Sequence, residues 1–162
     1  MTPSVQAFFD HATNTVSYIV HDPATKKAAI IDPVLDFTPR NGRIATTSAD
    51  ALLATAKAQG LEIVYLLETH AHADHLSAAH HLREATGAPV VIGSHITQVQ
   101  TIFGALFEAD DVTADGSDFD RLVADGDSLQ CNLFLATVIA QPPGEVGCEF
   151  QQLLNRLTGL PH

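Results

Sequence analysis

Histidine is the residue through which this chain can do chemistry. There are nine, and five of them (His70, His72, His75, His80 and His81) fall close together. The first three stand in the segment Glu68-Thr69-His70-Ala71-His72-Ala73-Asp74-His75. In an extended segment, side chains two apart point the same way, so His70 and His72 can present imidazoles to one point. Metal–nitrogen bonds of about 2.0–2.1 Å are then within reach without the i, i+4 geometry of a zinc-protease helix. Asp74 and His75 stand where the chain turns away and would face a second point nearby, the arrangement a two-metal site requires. Ala71 and Ala73 are small enough to let the loop fold tightly around an ion. Three imidazoles and a carboxylate this close together have little packing value, which favours ligation over a set of solvated loop residues.

The elements that must position this loop are legible on either side of it. Leu61–Leu67 (LEIVYLL) is rich in β-branched and aromatic residues and predicts a buried strand ending at the loop. A helix is expected from Leu76 to Thr86, closed by Gly87, followed by a strand over Pro89–Ile92. Upstream, Val16–Val20 and Ala28–Asp32 read as a β-hairpin across a polar turn at Asp22-Pro23. Pro33 and Pro39 predict irregular chain until Ser48, expected to cap a helix over Ala49–Gln59 that stops at Gly60. Downstream, Ser94 is expected to cap a helix whose Ile96, Val99, Ile102, Phe103, Leu106 and Phe107 form one apolar face, ended by the polar stretch Asp110–Asp118. Ala124-Asp125-Gly126-Asp127 signals a tight turn pairing Phe119–Val123 with the apolar run around Leu133–Ile139. Strands alternating with helices give an α/β layered fold. His80 and His81 are assigned to an exposed helix face, and His11, His21, His95 and His162 to the surface.

Composition narrows the function further. The 162 residues make one domain with a sizeable core, and a hydrophobic share of 46% with mean hydropathy +0.12 excludes intrinsic disorder. The net charge of −11 repels phosphate backbones and anionic lipid surfaces, so neither nucleic acid nor membrane is an expected partner. No apolar run suffices to span a bilayer, and the N-terminal MTPSVQAFFDHAT lacks the pattern of a secretion signal, so a cytoplasmic location is expected. Two distant cysteines, Cys131 and Cys148, make no disulfide framework.

The loop resembles the H-x-H-x-D-H signature of the metallo-β-lactamase superfamily. The surrounding stretches Thr13–Asp36, Leu67–Ala79 (LETHAHADHLSAA), Gly87–Gly93 with Ile96–Gln100, and Asp115–Asp127 resemble the persulfide dioxygenase-like branch, which includes the β-lactamase hydrolase-like proteins. The resemblance spans residues 8–129 and implies part of a four-layer αββα sandwich with a metal at one edge of the sheets. It implies His70 as a ligand of a single Fe(II), an O₂-dependent oxidation of glutathione persulfide to sulfite and glutathione, and a small thiol or persulfide as partner. A homodimer is compatible with it. In two-metal relatives, which use Zn(II), positions matching His72, Asp74 and His75 also ligate; Asp74 is in addition the candidate catalytic carboxylate. Asp32 falls where the family carries an acidic residue, with an orienting role or, equally, a turn role before Pro33.

Beyond Leu129 the pattern departs. Nothing after Asp127 matches the family's later T-P-G-H-T-P-like loop or strand-end Asp, which supply its other two iron ligands. Residues 1–129 are therefore read as a metallo-β-lactamase-like N-terminal part and 130–162 as a divergent tail, in which Pro142-Pro143-Gly144 breaks the chain and Glu149–Leu157 is expected to be helical. Three functions follow: a persulfide dioxygenase-like metalloprotein inactive or weakly active as this chain, a glyoxalase II-like metallohydrolase, or a non-catalytic family member. The charge gives a test independent of the metal: the protein should flow through a DNA- or RNA-loaded column at physiological salt, and salt-sensitive retention would contradict it.

Overall fold

The computed structural model describes residues 3–109, 113–131 and 134–137. Its backbone is a six-stranded sheet in the order β1-β2-β3-β6-β8-β9. β1 (Ser4–Asp10), β2 (Thr15–His21) and β3 (Lys27–Ile31) form an antiparallel meander; β6 (Glu62–Leu67), β8 (Val90–Gly93) and β9 (Arg121–Val123) continue it in parallel. The β2–β3 hairpin is as expected, turned by Asp22, whose carboxylate accepts from the backbone N–H groups of Ala24 and Thr25. The intervening segments supply the crossovers that parallel neighbours require: α1 (Thr47–Ala58) before β6 and α2 (Ala79–Thr86) before β8. α3 (Ile96–Phe107) follows β8.

Side-chain alternation along the strands makes two cores. Ile19, Ile30, Leu66 and Val90 point to the face covered by Leu52 of α1 and Leu82 of α2. Their neighbours Val20, Ile31, Leu67, Val91 and Val123 point the other way and meet Leu129 of β10 (Ser128–Cys131), which pairs with β11 (Phe134–Thr137). With both faces buried, the central strands read as nearly continuous apolar runs.

Several local expectations are corrected. The segment between Pro33 and Ser48 is not irregular: β4 (Val34–Thr38) pairs with β5 (Arg43–Ala45) and with β7 (Leu76–Ser77), because the prolines flank the ladder rather than interrupt it. β1 was absent from the sequence reading altogether. Ser48 does not cap α1, whose N-cap is Thr46; instead Asp36 of β4 accepts from the Ser48 backbone N–H at 2.9 Å and hydroxyl at 2.7 Å, a cap delivered from another strand. α2 begins at Ala79 rather than Leu76, since Leu76 and Ser77 are held in the β4 ladder, and ends on Gly87 at φ +73° as expected. Ser94 is not the cap of α3: its N–H extends the β8–β9 edge by donating to the Val123 carbonyl, and His95 takes the N-cap position.

The apolar stripe of α3 is present but not a core face. Ile96 is buried, whereas Ile102, Phe103, Leu106 and Phe107 are exposed among the described residues. The tight turn at 124–127 forms, with the Asp127 N–H donating to the Ala124 carbonyl, yet it joins two sheets: β9 pairs with β8, and β10 with β11. Asp110–Val112, Pro142-Pro143-Gly144, Cys148, the expected helix Glu149–Leu157 and His162, and with them most of the tail 130–162, lie outside the described residues.

Among the histidines assigned to the surface, His11 and His95 are exposed, but His21 is 8% exposed, with an Nδ1 that has no hydrogen-bond partner. Its place in the middle strand of the meander, between Ser4 and Ala28, explains the burial. Burial, and then the charge of Lys26, hold this imidazole below the usual histidine range. A neutral His in the folded chain contributes stability that is present above the unfolded pKa of about 6.5 and is lost as pH falls toward the folded value. His21→Phe should therefore lose less stability than wild type between pH 7.5 and 5.5 in urea titrations; parallel losses would refute the assignment.

Candidate metal centre

The site forms where parallel strands end. β3 and β6 finish side by side, the Asp32 N–H donating to the Leu67 carbonyl and the Glu68 N–H to Val91, so Asp32 and the loop beginning at Glu68 emerge at one sheet edge. Such carboxyl-end crevices are the usual ligand sites of parallel sheets. Thr15, at the start of antiparallel β2, reaches the same edge.

Asp32 is buried and holds φ +49°, a left-handed conformation uncommon outside glycine. Its carboxylate accepts from the Thr69 backbone N–H at 2.7 Å, the Thr69 hydroxyl at 2.8 Å and His72 Nε2 at 3.0 Å. The structure thus places Asp32 against the histidine loop, where it orients His72 and pins the residue before His70. Glu68, passed over by the sequence reasoning, lies 3.1 Å from the same His72 Nε2 and also accepts from the Ser77 hydroxyl. An acid directly after the apolar run at residues 63–67 was the available signal.

Each imidazole is fixed through one nitrogen, leaving the other free. His70 Nδ1 is 2.7 Å from the Thr69 hydroxyl. His72 is held by Nε2, so its Nδ1 faces the cluster, 3.9 Å from Asp74 Oδ1. His75 Nδ1 lies 3.3 Å from the Thr15 hydroxyl and 3.4 Å from Asp74 Oδ1, while its Nε2 is buried with no partner. The rings of His70 and His72 are 4.2 Å apart between centroids, and those of His72 and His75 4.1 Å. Ligand atoms from His70, His72 and Asp74 all lie within 4.8 Å of one another. His80 is outside the cluster, 80% exposed and facing Glu84, and His81 is half-buried against Asp50 of α1.

Electrostatics divides the three rings. Burial, with the neighbouring His72 charge second, pushes His70 and His75 below the usual range, so both are neutral bases able to donate a lone pair. At His72 burial works against the cation too, but hydrogen bonds to Asp32 and then Glu68 prevail and raise it to about 10. Asp74 is 54% exposed; burial raises its carboxyl slightly, yet donation from the Thr15 hydroxyl leaves it below the ordinary carboxylate value. Convergent imidazoles, a half-exposed carboxylate and an orphaned buried nitrogen fit a transition-metal centre. The cluster opens into a cleft of about 330 Å³ bordered by His70, Leu76, Arg83 and Phe119, the size of a small-molecule site.

The model of the metallo-beta-lactamase superfamily matches residues 12–152, and the chain belongs to that superfamily. A probable metallo-hydrolase of Burkholderia pseudomallei is 51% identical over 127 residues, covering 78% of this chain and 43% of that protein. A beta-lactamase hydrolase-like protein of Xylella fastidiosa is 46% identical over 141 residues, 87% of this chain and 33% of its own length. The persulfide dioxygenase ETHE1 of Homo sapiens is 26% identical over 89% of this chain and 45% of that protein. Among solved structures, ETHE1 from Myxococcus xanthus matches with a TM-score of 0.64 and 27% identity, over 90% of this chain and 51% of that one. The chain thus spans a third to a half of the length of these relatives, and its mixed α/β architecture is part of the metallo-β-lactamase fold.

If the loop holds the ion, His70→Ala should weaken Co(II) or Zn(II) binding by an order of magnitude or more, and His80→Ala should leave it unchanged in calorimetric titration. Equal losses would move the binding to the surface of α2.

Proposed function

We propose that the chain carries the metal loop of a persulfide dioxygenase-like enzyme, with His70, His72, Asp74 and His75 as its metal-binding residues and Fe(II) as the native ion. The observation that carries this reading is the loop itself: two neutral imidazoles, a third whose Nδ1 faces the cluster and would give up its proton to an ion, and Asp74 on the open side, beside a cleft of small-molecule size. The ETHE1 relatives support the sulfur chemistry. An Fe(II) held there would supply redox activation of O₂, and two imidazoles with one carboxylate are a ligand set that leaves positions for O₂ and a sulfur substrate.

The chain's own residues supply the rest. His70 and His75 bind as neutral donors. Asp32 orients His72 through Nε2. Asp74, ionised and half-exposed on the cleft side, is the group placed to accept a proton from a substrate thiol or from water. The substrate we infer is a small persulfide such as glutathione persulfide, used in the cytoplasm.

A metallohydrolase of the glyoxalase II type is the second reading. It is favoured by the more similar metallo-hydrolase relative and by His75, whose Nε2 is buried without a partner while its Nδ1 lies 3.4 Å from Asp74, a residue that suits a second ion, Zn(II) among the candidates. Ligand count governs the test, since an open catalytic centre takes about three protein ligands and the family's later two have no match after Asp127. The iron-loaded chain should consume O₂ slowly with glutathione persulfide. A chimera continuing from Leu129 with the corresponding part of a full-length relative should be on the order of a hundredfold faster, and His70→Ala should abolish its activity. Thioester hydrolysis without O₂ uptake would favour the hydrolase. Neither activity in the chimera would make the chain a non-catalytic member.

A further inference from the structure

His72 has two carboxylates on one nitrogen. Its Nε2 is 3.0 Å from Asp32 Oδ1 and 3.1 Å from Glu68 Oε2, and the two acidic side chains are 10% and 4% exposed. A single N–H shared between two buried acceptors is more than is needed to select a tautomer. Asp32 already serves the backbone N–H and hydroxyl of Thr69, so its carboxylate is tied to the loop's first residues. Glu68 is tied elsewhere: its other oxygen accepts from the Ser77 hydroxyl, and Ser77 Oγ in turn accepts the Ala79 N–H at the start of α2. Ser77 is itself fixed in β7 by pairing with Val34 of β4. The path β6–Glu68–Ser77–α2 therefore brackets the histidine loop from its two ends, with His72 in the middle.

We propose that Glu68, anchored by Ser77, is a positioning residue for His72: it acts as the second clamp on Nε2, fixing the ring plane so that Nδ1 faces the His70–Asp74 cluster. With Asp32 alone the ring could pivot about one hydrogen bond; two acceptors on different strand ends remove that freedom. Burying a second acid here is costly, and the cost is offset by the two hydrogen bonds its carboxylate makes, to His72 and to Ser77. Glu68 borders the cleft, but its carboxylate is engaged by His72 Nε2 and the Ser77 hydroxyl, so its effect on the cluster runs through His72. The consequence for a bound ion rests on the metal-site reading above, whereas the orientation of the ring does not.

The test separates the two. In metal-free full-length chain, ¹⁵N-edited spectra should show a solvent-protected His72 Nε2–H. Glu68→Ala should shift it and speed its exchange, Ser77→Ala should do so partially, and Glu68→Gln, which keeps an acceptor oxygen, should resemble wild type. Co(II) affinity should fall ten- to hundredfold in Glu68→Ala with a changed absorption spectrum, and recover in Glu68→Gln. Ser77→Ala leaves both Glu68 and His72 in place and decides the matter if Glu68→Ala fails to fold. An unchanged His72 signal in the folded Glu68→Ala or Ser77→Ala chain overturns the proposal. Should His70→Ala leave wild-type Co(II) affinity unaltered, the metal reading fails instead, and the imidazole spectra still decide the role of Glu68.

Discussion

The backbone of Asp32 is the constraint on which the site depends. Its left-handed conformation costs a non-glycine residue on the order of 1 kcal/mol or more, and the cost is offset only because the surroundings over-determine it. The Asp32 N–H continues the β3–β6 ladder, its carbonyl accepts from the buried Ser17 hydroxyl at 2.7 Å, and its carboxylate satisfies the loop. With the carbonyl turned toward β2, the side chain is directed along β6 to Thr69 and His72. A strand simply continuing past Ile31 would send that carboxylate elsewhere. Pro33 lends its carbonyl to the Ala78 N–H, so the same turn that aims the carboxylate also receives the start of α2.

From that turn follows the division of labour among the imidazoles. A cluster of three rings around 4 Å apart would repel itself if all were charged. Acidic partners are concentrated on His72, which takes the charge, while desolvation keeps His70 and His75 neutral. The arrangement holds the loop together before any ion is bound, because the buried acids have a cation to face. The hydrogen bonds also set the ring planes before a ligand arrives, and His72, which carries the charge, would release its Nδ1 proton on binding an ion.

Much of this was legible in the sequence, for physical reasons that differ by residue. The H-x-H-x-D-H spacing and its place between an apolar strand and a helix survive translation into structure because both depend on short-range periodicity. The acid at position 32 is legible with an orienting role and a turn role equally open, since the choice between them depends on β3 lying beside β6 across an intervening helix. The same non-locality hid β7, whose ladder with β4 joins segments about forty residues apart, and gave Ser48 a capping role that Asp36 takes; the local β4–β5 pairing was hidden instead by the prolines on either side of β4. Glu68 was hidden by its neighbours: placed beside three histidines, a carboxylate reads as loop polarity until its burial is known. α3 shows the limit of periodicity in the other direction: the spacing gives one apolar face, but not whether anything covers it, and Ile102, Phe103, Leu106 and Phe107 are exposed among the described residues.

The contacts that orient the rings come from four places: Thr15 at the start of β2, Asp32 after β3, Glu68 and Thr69 after β6, and Ser77 in β7 through Glu68. All but Ser77 stand at the edge of the six-stranded sheet whose helix-covered face is closed by Leu52 and Leu82, and Ser77 belongs to the separate β5-β4-β7 sheet. Among the described side chains none is drawn from β9. Loop geometry is therefore a property of the first crossover, β3–α1–β6, and of the short β4–β7 pairing that returns the chain to it. Chemistry is a separate matter, because the rest of a coordination sphere decides whether the same imidazoles hold an ion for oxidation or for hydrolysis. A superfamily built this way can keep one strand-end loop unchanged and vary its reactions through the residues that complete it.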